Sequence, residues 1–150
     1  MSKLNFPKTY RVIFAIVGLL PILGLLAYPF MPETIGMHWS YGNSVPDGYG
    51  GKTSGLIIIC FLLMLPISLV SLIGIASAQM DDPRPGKFFE WFALCVALFL
   101  LYFYCLFLLW NVGLRFNFNV MVIGGLILFL IGIITLIIKS IWPSKIKRIY

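Results

Sequence analysis

Residues Gly55 to Gln79 read GLIIICFLLMLPISLVSLIGIASAQ, a run of 25 positions with no charged side chain. A helix rises about 1.5 Å per residue, so this run more than covers a hydrocarbon core about 30 Å thick. Three further runs match it: Val12 to Phe30, Phe88 to Gly113 and Val120 to Trp142. None carries a charge in its central part, where charges are costly. Lys139 lies in the last turn of the fourth run, within snorkelling reach of the headgroups. The pattern predicts an all-α, four-helix integral membrane bundle formed by one domain over residues 1–150.

The composition agrees. Of 150 residues, 61% are hydrophobic and 11% charged, and the mean hydropathy is +1.01. Soluble domains carry about 25% charged residues. A soluble enzyme, a disordered chain and a nucleic-acid-binding module are therefore excluded, despite a pI of about 9.4.

The basic residues give the orientation. Lys3, Lys8, Arg11, Arg84, Lys87, Lys139, Lys145, Lys147 and Arg148 fall on one side of the spans, and only Lys52 and Arg115 fall on the other. The positive-inside rule places both termini in the cytoplasm of a multi-pass cell-membrane protein. The net charge of +6 then reads as topology and contact with anionic lipid rather than nucleic-acid binding. The first run is too long for a signal-peptide core and no A-x-A-like site follows it, so it is expected to be retained.

Cys60, Cys95 and Cys105 all lie inside the runs without CxxC spacing; they read as small packing residues. Ser71, Gly74 and Ala78, with Ala93 and Ala97, form small-residue faces suited to close helix approach. Pro21 and Pro66 are expected to kink their helices. Phe88, Phe89, Trp91, Phe92 and Trp110 read as interfacial belts.

Outside the spans, Met31 to Ser54 is the densest stretch: MPETIGMHWSYGNSVPDGYGGKTS. It holds the single histidine, two acids, one lysine and the turn signal Pro46-Asp47-Gly48. Trp39, Tyr41 and Tyr49 suit a headgroup-level position, so the loop is expected to lie folded on the membrane surface. The inner loop Met80 to Lys87, with Pro83 and Pro85, ends the second helix. The outer turn Leu114 to Asn119 carries Arg115, Asn117 and Asn119.

The stretch Tyr28-Pro29-x-x-Pro32-x-x-Ile35-x-x-His38-Trp39, followed by Pro46-Asp47-Gly48-Tyr49-Gly50-x-Lys52, resembles a small membrane domain of unknown function. That domain forms the amino-terminal part of SdpI-type proteins, the immunity family for a sporulation-delaying toxin. Asp82-Pro83, Phe88-Phe89, Gly125, Gly132 and Pro143-Ser144-Lys145-Ile146-Lys147 extend the likeness. Between His38 and Pro46 the loop is one residue longer than the family pattern. The Gly-Ile-Arg-Thr-Pro-Trp-like segment of full immunity proteins does not occur in these 150 residues. The resemblance therefore implies the four-helix module rather than immunity itself.

The chemistry of the loop is sparse. His38 with Glu33 and Asp47 could be read as a metal or proton site, but zinc takes three or four protein ligands. The structural alternative has His38 donating to a loop carbonyl or to Asp47, with Trp39 anchoring the loop at the interface. For catalysis, Ser40, Ser44 or Thr53 beside His38 would be the nucleophile, yet neither G-x-S-x-G nor H-E-x-x-H occurs. The spans have no central ionisable residue to mark an ion path, and Asn111 is the polar handle of the third. No cofactor, metal or catalytic residue is expected. What remains is recognition in the lipid bilayer, with His38, Trp39, Asp47, Lys52 and Glu33 as the partner-binding candidates. The partner would be a peptide toxin or another membrane molecule. The alternative is an accessory subunit packed against a larger membrane complex.

Overall fold

In hydrocarbon every backbone N–H and C=O must be satisfied within the chain, and a helix does this with neighbours four residues away. The four apolar runs accordingly form helices: α1 (Lys8–Ala27), α2 (Lys52–Ser77), α3 (Arg84–Asn111) and α4 (Phe118–Ile141). The structure is a computed structural model and describes residues 7–40, 42–79 and 84–141. Tyr41, Asp82-Pro83, Lys3 and the stretch from Trp142 to the end lie outside the described residues.

All four helices are long and apolar enough to cross a membrane. α1 and α2 continue through Pro21 and Pro66, and a 3₁₀ turn, Tyr28–Phe30, extends α1. α1, α2 and α3 each begin three or four residues before the apolar runs that predict them. α2 begins at Lys52, so the lysine assigned to the loop is the first helical residue. α3 begins at Arg84, which takes Pro85 into the first turn, where a missing N–H costs nothing.

α3 is the central helix and packs against each of the other three. Tyr10, Ile13, Leu20, Ile67, Ala97 and Tyr104 are fully buried between α1, α2 and α3. Four of the five small residues read from the sequence lie there: Ser71, Gly74, Ala93 and Ala97 are buried, whereas Ala78 is exposed. Gly74 faces the Tyr10 hydroxyl and Phe89. α4 lies on α3 through Phe99 with Phe129, and Tyr102 covers Gly125 and donates to the Met121 carbonyl at 2.8 Å. It is the least covered helix, with 6% of its most apolar stretch buried against 22–33% for the others.

The segment between α1 and α2 is more ordered than a surface loop. Thr34–His38 (β1) and Gly48–Gly51 (β2) pair antiparallel. Thr34 lies opposite Gly51, Gly36 opposite Tyr49 and His38 opposite Gly48, with a bulge between Gly36 and His38. Ile35 is completely buried and, with Met37, packs over Gly55 in the first turn of α2.

Candidate functional site

The hairpin caps one end of the bundle and is fastened there by polar side chains from the far half of the chain. α3 ends where Gly113, at φ +110°, takes the left-handed conformation that suits glycine. Arg115 donates at 3.1 Å to the carbonyl of Trp110, which also accepts from the Gly113 N–H, and lies 4.0 Å over the Trp110 ring. Asn117 accepts from the Val120 N–H at 3.2 Å and so starts α4. This geometry presents two further asparagines to the hairpin. The Asn111 carbonyl oxygen accepts from the Gly36 N–H at 2.7 Å, and its amide donates to the Gly36 carbonyl at 3.3 Å and to the Phe107 carbonyl at 2.9 Å. The Asn119 amide donates to the carbonyls of Ser40 and Asn43, at 2.9 and 2.8 Å.

The structure divides the five sequence-predicted residues into three places. His38 and Asp47 meet at the exposed side of the hairpin, with His38 Nδ1 2.6 Å from an Asp47 oxygen. A carboxylate only accepts, so Nδ1 carries the proton and Nε2 is the acceptor of the neutral ring. The Ser40 hydroxyl and backbone N–H also donate to Asp47. These bonds, Ser40 first and His38 second, hold the Asp47 carboxyl below the usual carboxylate range. The His38 side chain keeps 70% of its surface exposed.

Trp39, expected at headgroup level, is packed against protein. Its ring stacks on Phe118 at 4.1 Å and meets Trp110 edge-on at 5.4 Å, because the hairpin folds back over α3 and α4. Trp110, expected in an interfacial belt, is buried in the same cluster.

Lys52 and Glu33 are at the opposite, rooted end of the hairpin. Lys52 is buried, donates to the Met31 carbonyl at 3.0 Å and lies 4.4 Å over the Tyr28 ring. Glu33 is almost wholly exposed and reaches Lys52 at 3.5 Å. Glu33 is thus not part of the His38–Asp47 pair, and among the described residues no three His, Cys, Asp or Glu side chains converge. Ser40 donates to Asp47 rather than to His38, so the hydroxyl and the imidazole do not form a nucleophile–base pair.

Asn119 and Arg115 went unrecognised in the sequence beyond membership of a polar turn. Their signal was their position, in a six-residue turn that faces the longer outer loop. Asn111 was visible as the one amide in an apolar helix end.

Residues 15–65 are similar to a domain of unknown function (DUF1648). The matched stretch holds most of α1, the whole hairpin and the first half of α2, and so includes all five candidates. No curated protein and no solved structure matches the chain.

Proposed function

We propose that this chain is a non-catalytic recognition protein of the cell membrane, with both termini cytoplasmic and the hairpin displayed outside. Its role is related to the amino-terminal module of SdpI-type proteins, and its partner is a peptide or another membrane protein. One observation carries this reading: the hairpin is locked to the bundle at Gly36, Ser40 and Asn43 while the His38 ring beside Asp47 stays exposed. A segment fixed before binding loses little conformational freedom on binding, which favours affinity. His38 Nε2, Val45 and Tyr49, each exposed, would supply polar and apolar contacts.

A photo-crosslinking residue at Tyr49 in the native membrane tests the reading. A crosslinked peptide or membrane protein is expected, and its yield should fall in His38→Ala and Asp47→Ala at unchanged membrane level. Crosslinks to lipid alone would reject it.

The accessory-subunit reading has its own support in α4, whose side chains are exposed around most of the helix. It expects the same experiment with the label at Leu128 to capture a larger subunit in stoichiometric yield.

A further inference from the structure

Among the described residues, the grooves that open from the helix bundle toward lipid include three between helix pairs. One, of about 360 Å³, lies between α3 and α4 beside Tyr102 and Gly125. A second, of about 530 Å³, lies between α1 and α3 beside Phe30 and Leu109. The third, of about 470 Å³, lies between α1 and α2, walled by Pro21, Leu25, Ile57, Phe61 and Met64. Tyr104 forms its floor, with the Cys60 sulfur 3.1 Å from the phenol oxygen.

The third runs into polar chemistry at one end. At its mouth Tyr28 and Thr53 share a 2.8 Å hydrogen bond. It continues at Thr53 and Ile57 into a shallow depression lined by Lys52, Ser54 and Glu33. The groove is therefore ordered as an amphiphile is, cation and hydroxyls at one end and hydrocarbon for the rest. Its depth fits as well. From Thr53 to Met64 α2 rises about 17 Å, against about 15 Å for half of a hydrocarbon core. A groove of that depth would span one leaflet and end near the midplane.

The charge at the mouth selects the headgroup. The Lys52 ammonium is held in place, with only 10% of its side chain exposed, whereas the Glu33 carboxylate is 93% exposed. Water screens the carboxylate far more than the ammonium, so the cation dominates the field at the groove. We propose that the α1–α2 groove seats one acyl chain of an anionic glycerophospholipid, with its phosphate at Lys52 and Thr53.

The test takes the full chain from vesicles of equal phosphatidylglycerol and phosphatidylcholine into mild detergent and counts retained lipid by native mass spectrometry. About one lipid per chain is expected, with phosphatidylglycerol favoured about fivefold, the contribution of one basic group at a membrane surface. Lys52→Gln should abolish that preference, and Lys52→Arg should keep it. Ile57→Trp, which fills the groove, should lower retention of both lipids. Leu72→Trp, exposed on α2 away from the groove, should leave retention as it is. Absence of retained lipid, equal retention of the two lipids by the unaltered chain, or undiminished preference in Lys52→Gln overturns the proposal. Equal retention by Ile57→Trp and Leu72→Trp also overturns it, and this comparison does not depend on how Lys52→Gln folds.

Discussion

Asn111, in the last turn of α3, bonds both backbone polar groups of Gly36, 75 residues earlier in the chain. A primary amide is the one neutral side-chain group that offers a donor and an acceptor side by side, as a backbone strand partner does. Asn111 therefore acts as an extra strand residue supplied by a helix, and it completes the pairing of β1 on the edge that β2 does not cover.

Replacing it should be costly. Asn111→Ala leaves the Gly36 N–H and C=O buried without these bonds, a loss of about 2–4 kcal/mol. Thermal unfolding in detergent should show the loss, and hydrogen exchange should show it concentrated in residues 34–51 rather than spread over the helices.

Gly36 itself admits no larger residue. A Cβ there would lie 2.6 Å from Pro46 Cγ and 3.3 Å from the Trp39 ring. The proline ring cannot rotate away, so Gly36→Ala should destabilise the hairpin by about 1–3 kcal/mol. Gly18→Ala, whose Cβ would meet nothing within 4 Å, is the matched control; an equal loss of stability in the two variants would reject the packing argument.

The Trp39 ring fastens the hairpin from the apolar side. Trp39→Ala should cost about 2 kcal/mol, less than the about 3–5 of a fully buried tryptophan because this one is half-buried. Trp39→Phe should recover part of the loss by keeping the stack on Phe118. Equal melting points for the two variants would show that stacking contributes nothing.

Acid should loosen the tip of the hairpin. The folded pKa of Asp47 is depressed by the Ser40 and His38 bonds. Its contribution is therefore present above the unfolded value of about 3.9 and disappears as pH falls through the lower folded value. Amide exchange at residues 38–47, taken relative to the intrinsic rate at each pH and followed from about pH 6 to about pH 2, should rise in that acid window. In Asp47→Asn it should be raised throughout, with no step there.

The orientation can be read with one thiol. Ser44 is exposed in the hairpin, while Cys60, Cys95 and Cys105 lie within the spans. Ser44→Cys in intact cells should react with an impermeant maleimide; reaction only after lysis would reverse the assignment of the two faces.

Much of the site was partly legible in advance. The bond between His38 and Asp47 was one of two partners expected for the histidine, since nine residues around a proline-glycine turn bring them together. The hairpin was not legible. β2 reads Gly-Tyr-Gly-Gly, a composition depleted in strands, and nothing local separates it from a turn. The socket of Trp39 was not legible for a related reason: an aromatic flanking a span suits headgroups and a protein socket equally, and this socket is built by Phe118 and Trp110.

The sequence by itself determined the four spans, their order and the side on which the basic residues gather. A membrane helix meets its hydrogen bonds locally and its solvent is apolar everywhere, so composition over about 20 residues suffices. Only the tertiary structure decided that the segment between α1 and α2 is a hairpin, and which of its side chains are fastened and which are free. Its bonds come from Asn111 and Asn119, more than 70 residues away, and such contacts exist only once the helices have packed.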